Sequence, residues 1–255
     1  MNWPAEAIWE AIAPDWPEFT VEVLPQVDST NTELMRRARA GRLEPVLLVA
    51  ERQSAGRGRL GRDWHSEASS LTFSLGLPLS VCDWSGLSLA VGVSVAQSLH
   101  PDLRLKWPND VWLHDRKLAG ILIETASFGP TRYAVMGIGV NIAPRDAGGL
   151  ATPPAWLGEV LPGIGAPQTL LRLAAPLVGA VKTFEAQGFA PFRAEFNGRD
   201  ALLGRAVTLS DGTAGVARGV DETGALLVHT SSGMKKITSS EVSVRPANPP
   251  GAQTH

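Results

Sequence analysis

The most distinctive part of the sequence is residues 53–62, which read Gln-Ser-Ala-Gly-Arg-Gly-Arg-Leu-Gly-Arg. The glycines include the pattern G-x-G-x-x-G, which also occurs in dinucleotide-binding loops of the Rossmann type. Such a loop requires a helix to begin within the glycines. Residues 62–66 do not continue as an amphipathic helix, so that kind of site is excluded. Alternating glycine and arginine instead predicts a mobile backbone that carries forked donors for phosphate or carboxylate. A solvated basic loop that binds RNA is the alternative.

A second segment, Lys106–Asp110, reads Lys-Trp-Pro-Asn-Asp and is followed closely by Arg116 and Lys117. Its two lysines and one carboxylate are expected on adjacent strands and turns of a hairpin. A lysine beside a phosphate can neutralise charge that develops during displacement at phosphorus. Asp110 can hold such a lysine in place or help to position Mg²⁺. Taken alone, the segment favours ordinary turn chemistry, because Pro-Asn-Asp is a common turn.

Two further segments combine small polar residues with glycine. Residues 28–31 read Asp-Ser-Thr-Asn at a predicted helix start, where such residues cap the helix and can also hydrogen-bond a small polar ligand. Residues 137–141 read Gly-Ile-Gly-Val-Asn within a predicted strand. Glycines inside a strand indicate that another group approaches the backbone closely. A packed strand crossing is the alternative interpretation.

Hydrophobic periodicity assigns these segments to a mixed α+β domain over residues 1–197. Residues 54–62 are predicted to lack regular structure. The predicted strands are 21–24, 46–50, 70–79, 104–107, 111–113, 118–124 and 133–142, of which the three from 104 to 124 form antiparallel hairpins. The predicted helices are 30–40, 84–99, 169–187 and 191–196.

A different pattern follows residue 197. Short strands at 207–209, 215–220, 225–228, 234–238 and 242–244 alternate with turns such as Asp211-Gly212. This pattern predicts a small antiparallel barrel over residues 198–246. The tail 247–255 is predicted to be disordered.

Composition excludes several classes of protein. The 255 residues carry 23 Lys and Arg against 25 Asp and Glu, a formal net charge of −2. Such a balance argues against a protein that coats DNA or an anionic membrane. A single cysteine excludes an internal disulfide and a Cys₄ zinc site. Neither a secretory signal nor an apolar run of about 18 residues is visible, so the expected location is the cytoplasm.

Taken together and in this order, the segments resemble those of the biotin–protein ligases. The matching segments are residues 28–31, 53–64, 106–110, 116–124, 137–141 and the small β domain. The resemblance implies a mixed sheet flanked by helices, as in class II aminoacyl-tRNA synthetases, followed by an SH3-like β barrel. It also implies a two-step reaction. Biotin and ATP with Mg²⁺ give biotinyl-5′-adenylate and pyrophosphate, and the adenylate then acylates one lysine of a biotin carboxyl carrier protein, such as that of acetyl-CoA carboxylase.

The resemblance also implies roles for individual residues. Lys117 would meet the biotin carboxylate and the α-phosphate, Asp110 would support the catalytic step, and Arg59 would act with them. The residues expected to bind biotin or the adenylate are Ser29, Thr30, Asn31, Gln53, Gly56, Arg57, Gly58, Arg59, Trp64, Lys106, Asn109, Lys117, Gly120 and Asn141. No residue is assigned to Mg²⁺.

Two departures from the family pattern modify these expectations. Leu60 stands where many members have another arginine, so the loop has one fewer phosphate donor. Bifunctional members begin with a winged helix-turn-helix, whereas the segment before the first matched motif here is short and contains Pro4, Pro14 and Pro17. The expectation is therefore a monofunctional ligase that does not bind DNA, and either a monomer or a homodimer.

Two other functions stay open at this point. A lipoate– or octanoate–protein ligase would share the fold and the adenylate chemistry. A non-catalytic RNA-binding module would need exposed aromatic residues beside basic ones on its β domain. Residues 200–246 contain no Phe, Tyr or Trp, which counts against the RNA-binding module.

Overall fold

A computed structural model describes residues 1–64, 66, 70–81, 83–145, 153–238 and 244–246. The tail 247–255, predicted to be disordered, lies outside these residues. None of the helices in the described ranges has both the length and the apolar composition needed to cross a membrane.

A seven-stranded mixed sheet forms the centre of the larger part of the chain. Its strands are β1 (Thr20–Leu24), β2 (Val46–Ala50), β3 (Ser70–Pro78), β4 (Arg104–Lys106), β5 (Asp110–Leu113), β6 (Arg116–Phe128) and β7 (Thr131–Asn141). They lie in the order β1-β2-β3-β7-β6-β5-β4. The first two strands pair in parallel and the others antiparallel. The predicted mixed sheet and its hairpins are therefore confirmed.

In the described part of the chain, five α-helices accompany this sheet: α1 (Ala5–Ile12), α2 (Thr30–Arg39), α3 (Leu87–Leu99), α4 (Ala166–Gln187) and α5 (Arg193–Arg199). Helix α1 was not predicted. It buries Ile8 and Ile12, one turn apart, and packs on α4 and β1. Helix α3 begins three residues later than predicted, because Gly86 precedes it in a left-handed conformation (φ 81°). A Cβ at Gly86 would lie 2.6 Å from Phe189, so only glycine fits there.

Alternation along the strands determines which face of the sheet meets which helices. Leu71, Phe73 and Leu75 of β3 point into the larger core with α3 and α4. The opposite face carries a smaller core, in which Leu34 of α2 packs with Tyr133 of β7. On this second face the next positions of β3 and β7 are polar residues or glycines rather than apolar residues. The sheet is therefore left open beside the N-terminus of α2.

The chain after residue 200 forms a separate five-stranded antiparallel sheet. Its strands are β8 (Ala206–Leu209), β9 (Ala214–Val220), β10 (Leu226–Thr230), β11 (Gly233–Ile237) and β12 (Val244–Pro246), in the order β11-β10-β9-β8-β12. It contacts the larger part through buried Trp107, whose indole N–H donates to the Gly224 carbonyl at 3.1 Å. Phe196 and Val220 belong to one hydrophobic cluster across the predicted boundary at 197, and that boundary stays a prediction.

Asp200 at the junction of the two sheets generates a prediction about stability. Its Oδ1 accepts a hydrogen bond from the Leu202 N–H at 2.8 Å, while Oδ2 is buried and has no hydrogen-bond partner within the described ranges. Burial raises the pKa of this carboxyl to about 6. Because the folded protein then holds the proton more tightly than the unfolded chain, stability is lost as the pH rises from about 4 to 6.

We predict that Asp200→Asn increases the free energy of unfolding at pH 8, by up to about 3 kcal/mol for a pKa shift of this size. The variant should also lose most of the decrease in stability between pH 4 and 6. Urea unfolding at several pH values measures both effects. Asp15→Asn, at a side chain that is 66% exposed, is the control. An Asp200→Asn protein with the wild-type pH profile would contradict this account.

Candidate active site

A cavity opens on the uncovered part of the sheet, beside the N-terminus of α2. Thirteen of the residues predicted for the site line it: Ser29, Thr30, Asn31, Gln53, Arg57, Gly58, Arg59, Trp64, Lys106, Asn109, Asp110, Lys117 and Gly120. Gly56 and Asn141 were also predicted but do not line it. Gly137 and Gly139 of the fourth segment line it too, so the four sequence segments meet in one place.

Residues 56–64 form a short hairpin across this cavity, which we call the glycine–arginine hairpin. The Gly58 N–H donates to the Arg62 carbonyl at 2.7 Å, and the Trp64 N–H donates to the Gly56 carbonyl at 2.9 Å. A tight turn forms its tip, with positive φ at Leu60 and Gly61 and a hydrogen bond from the Arg62 N–H to the Arg59 carbonyl at 3.2 Å. As predicted, residues 54–62 contain no strand or α-helix, but the hydrogen bonds across the hairpin give the segment a defined shape that was not predicted. The pattern rules for strands do not apply to it, because its two arms are only about three residues long.

Gly56 has a structural place in the hairpin. A Cβ at Gly56 would lie 2.3 Å from the Trp64 carbonyl oxygen, a distance no real side chain allows. At the tip, Leu60 adopts a left-handed conformation (φ 56°) and is 57% exposed. The residue that departs from the family pattern therefore points to solvent at the turn.

Side chains from other segments lie close to both strand glycines, Gly137 and Gly139, as predicted. A Cβ at Gly139 would lie 2.3 Å from the indole ring of Trp64, and a Cβ at Gly137 would lie 2.2 Å from Oδ1 of Asn31. The hairpin and the start of α2 thus each place a side chain directly on the backbone of β7. Any larger residue at either position would displace the group that rests there.

Lys117 and Asp110 form an ion pair inside the cavity, with Nζ 2.7 Å from Oδ1. A bulge positions the lysine. Val111 pairs with Ala119, but Trp112 pairs with Lys117, so Leu118 is an extra residue in β6. In a regular strand Lys117 and Gly120 would point to opposite faces. With the bulge they share one face, and a Cβ at Gly120 would lie 3.2 Å from the Lys117 Nζ.

Cationic groups surround this ion pair. Lys117 Nζ lies 5.8 Å from the centre of the Trp64 ring, and Arg145 lies 5.5 Å from the same ring. Arg59 donates to Asn109 Oδ1 at 3.4 Å. Burial lowers the pKa of the Arg59 guanidinium, and the charge of Asp110 partly offsets that effect. Arginine nevertheless stays charged in proteins, so this end of the cavity attracts anions.

The opposite end of the cavity is neutral and hydrogen-bonded. Ser29, Thr30 and Asn31 are each only 3% exposed. Ser29 is the N-cap of α2, and its Oγ accepts from the Thr32 N–H. The N–H and hydroxyl of Thr30 both donate to Gln53 Oε1, at 2.8 and 3.1 Å. This arrangement presents polar groups without charge to a small molecule.

Asn141 lies behind Lys117 rather than in the cavity wall. Its Nδ2 donates to the Ala155 carbonyl at 3.0 Å and to the Lys117 carbonyl at 3.4 Å. Its Oδ1 is buried and has no hydrogen-bond partner among the residues described here. Asn141 therefore fixes the backbone of Lys117 from outside the cavity.

Comparison with known proteins identifies the family to which this chain belongs. Residues 23–141 match the biotin/lipoate A/B protein ligase family, and residues 202–245 match the biotin protein ligase C-terminal domain. The biotin–acetyl-CoA-carboxylase ligase of Paracoccus denitrificans is 37% identical over 241 residues, which are 86% of this chain and 98% of that protein. The chain belongs to the biotin protein ligase family.

Other members support the assignment. The bifunctional ligase/repressor BirA of Escherichia coli is 36% identical over 242 residues, which are 89% of this chain and 75% of BirA. The biotin protein ligase of Aquifex aeolicus, solved in complex with biotin and ATP, superposes with a TM-score of 0.77 at 30% identity. The match covers 89% of this chain and 99% of that one. The predicted biotin-ligase fold class is therefore confirmed.

Several groups at this ligase site were not predicted. Val244 of β12 lines the cavity, so the small sheet contributes to its wall. Gly137 and Gly139 line it as well. The glycines had a signal in the sequence, but a single valine in a short strand has none. In the described ranges, no group of three or more His, Cys, Asp or Glu residues could hold a metal ion.

The contact between Gly139 and Trp64 generates a prediction that needs no ligand. We expect Gly139→Ala to push the indole off β7, because overpacking of this kind costs about 1–3 kcal/mol. The detached hairpin should then be cut faster by trypsin after Arg57, Arg59 or Arg62. Gly179→Ala is the control, because a Cβ at Gly179 in α4 meets nothing within 4 Å. Equal cleavage rates in both variants would show that Trp64 does not hold the hairpin.

Proposed function

We propose that this chain activates biotin with ATP and transfers it to a lysine of a biotin carboxyl carrier domain. The observation that carries the proposal is the division of one cavity into a neutral polar end and a cationic end. Biotin has the same division, with an uncharged ureido ring at one end and a carboxylate at the other. Between the two ends, Trp64 and the two strand glycines form the wall of the cavity.

The neutral end favours biotin over lipoate. The ureido ring has N–H donors and a carbonyl acceptor, which match the hydroxyls and amides of Thr30, Asn31 and Gln53. The dithiolane ring of lipoate has no strong donor or acceptor. It would leave the remaining acceptor sites of Thr30 and Asn31 without a donor, so these groups favour biotin over lipoate.

The cationic end suits formation of the adenylate. A carboxylate oxygen of biotin attacks the α-phosphorus of ATP, a new P–O bond forms, and the bond to pyrophosphate breaks. Lys117 would neutralise both the approaching carboxylate and the α-phosphate, and Asp110 holds its ammonium group in place. Arg59 would bind a phosphate oxygen from the hairpin side.

Mg²⁺ fits this arrangement as the companion of ATP. The ion usually keeps several waters and is held by substrate phosphates with one or two carboxylates. Asp110 is the carboxylate in position to serve, and no larger cluster of ligands is required. The ion would lower the charge of the phosphates.

In the second step the amine of the carrier lysine attacks the acyl carbonyl, and AMP leaves. No covalent bond to the enzyme is needed. The cations that stabilise the phosphate in the first step also stabilise AMP as the leaving group.

ATP–pyrophosphate exchange tests the proposed function directly. Biotin, lipoate and octanoate are supplied separately to the full chain with ATP and Mg²⁺. We expect exchange with biotin alone. Exchange that prefers lipoate or octanoate would assign the chain to the other branch of the fold, and no exchange with any acid would overturn the proposal.

Removal of Lys117 should affect the chemical step. We predict that Lys117→Ala slows adenylate formation by about 10²–10³, the usual loss for one preorganised donor. Single-turnover formation of the adenylate measures the effect. Lys182→Ala, which removes a lysine that pairs with Asp15 away from the cavity, should match the wild type. Adenylate formation at the wild-type rate in Lys117→Ala would remove Lys117 from the mechanism.

Arg59 should affect retention of the adenylate more than its formation. Arg59→Gly removes a donor that links the hairpin to Asn109 and adds backbone freedom at the tip. Released adenylate would then label lysines of an unrelated protein such as albumin. The readout is biotin on albumin relative to the rate of pyrophosphate release. Arg52→Gly is the control, since Arg52 pairs with Gln26 and does not line the cavity. A variant that labels no albumin while it turns over would contradict this role.

A further inference from the structure

Glu124, near the middle of β6, contacts both the start of α2 and the glycine–arginine hairpin, yet it does not line the cavity. Its Oε2 accepts a hydrogen bond from Asn31 Nδ2 at 3.0 Å, and its Oε1 accepts one from Arg57 at 3.2 Å. The side chain is 24% exposed, against 50% for Arg57. The two oxygens of one carboxylate thus join the two segments that enclose the neutral end of the cavity.

The contact with Glu124 fixes the orientation of the Asn31 amide. Asn31 Nδ2 also donates to the Leu122 carbonyl at 3.2 Å. A carboxylate and a peptide carbonyl can only accept hydrogen bonds, so the nitrogen of the amide must face β6. The oxygen of the amide must therefore face Ser74, whose Oγ lies 2.6 Å away.

This orientation leaves the neutral end short of one hydrogen. The Ser74 hydroxyl has a single hydrogen but lies 2.6 Å from two acceptors, Thr30 Oγ1 and Asn31 Oδ1. The hydrogen of the Thr30 hydroxyl is directed to Gln53 Oε1. If the Asn31 amide turned over, its nitrogen would face Ser74 and supply the missing hydrogen. Glu124, together with the Leu122 carbonyl, prevents this turn, and the cluster stays rich in acceptors.

We infer that Glu124 is a positioning residue for ligand recognition. It sets the direction of the hydrogen bonds at the neutral end, so that Thr30 and Asn31 accept from N–H groups of the ligand. Through its other oxygen it holds Arg57, so that the hairpin is held against the same recognition cluster. Arg57 then serves to position the hairpin, which leaves Arg59 to meet phosphate. This inference rests on the proposed function and specifies how its substrate is recognised.

Glu124→Gln tests the inference, because glutamine has nearly the same shape but only one accepting oxygen. The positive charge of Arg57 should attract that oxygen, so the Gln NH₂ group should face Asn31. The variant then loses the stronger of the two acceptors that hold the Asn31 nitrogen toward β6. The assay is ATP–pyrophosphate exchange with biotin and with a biotin analogue methylated on a ureido nitrogen. We expect the KM for biotin to rise about tenfold while kcat stays within about threefold, as for loss of a ground-state contact. We also expect the preference for biotin over the methylated analogue to fall about tenfold.

Two further variants provide the controls. Glu22→Gln removes the same kind of carboxylate from Arg37, 2.8 Å away and outside the cavity, and should keep both wild-type values. Glu124→Asp keeps two accepting oxygens and should restore most of the preference for biotin, even where its shorter chain lowers affinity. If thermal unfolding shows that Glu124→Gln does not fold, Glu124→Asp takes its place as the test. We then expect Glu124→Asp to raise the KM for biotin and to retain the preference for biotin over the methylated analogue.

Digestion with trypsin tests the contact between Glu124 and Arg57 of the hairpin. Biotin should protect the hairpin from cleavage in the wild type and protect it less in Glu124→Gln. A Glu124→Gln enzyme with wild-type KM, preference and protection would overturn the inference. If the wild type itself shows no exchange with biotin, the proposed function fails instead, so the two failures are distinguishable.

Discussion

The whole site depends on the absence of side chains at two positions of β7. Gly139 leaves room for the Trp64 ring, and Gly137 leaves room for the Asn31 amide, each against the bare backbone of the sheet. Trp64 anchors the glycine–arginine hairpin, and Asn31 anchors the start of α2. The cavity is the space between these two anchored segments. On the same face of the sheet, the positions under α2 are apolar and form a small core. The face therefore changes from packing surface to binding surface along single strands, through the choice of residue at alternate positions.

The chemistry of the site is divided along the cavity in the same way. Neutral donors and acceptors come from the start of α2 and from Gln53, whereas Lys117, Arg59 and Asp110 come from the opposite side. The bulge at Leu118 determines where the lysine points. It turns Lys117 toward the cavity while Leu118 stays in the core. Asn141 then holds the backbone of Lys117 from behind. The flexible side chain of Lys117 is thus held at both ends, by Asn141 at the backbone and by Asp110 at the ammonium group. This lowers the conformational entropy that the side chain loses when it binds an anion.

Much of this could be predicted from the sequence, and the rest could not, for physical reasons. Hydrophobic alternation indicated the strands of the mixed sheet, and the glycines at 137 and 139 indicated a close approach. Helix α1 was not predicted, because its apolar residues gain stability from tertiary contacts with β1 and with α4, and α4 is far away in the sequence. The hairpin at 56–64 is too short for periodicity to show, and its pairing depends on Gly56 fitting against Trp64. Val244 carries no local signal, and Glu124 ends the matching segment 116–124 without any role that the sequence indicates. Their roles come from the tertiary contacts that bring β12 and β6 beside the cavity.

The central claim is that one cavity holds a neutral ring at the end formed by Ser29, Thr30, Asn31 and Gln53, and a phosphate at the end formed by Lys117 and Arg59. The most direct measurement is a crystal structure with a hydrolysis-resistant sulfamoyl analogue of biotinyl-5′-adenylate. The account predicts the ureido ring within hydrogen-bond distance of Thr30 and Asn31, with the sulfamoyl group between Lys117 and Arg59. A ligand bound in the reverse direction, with its ureido ring beside Lys117, would contradict it.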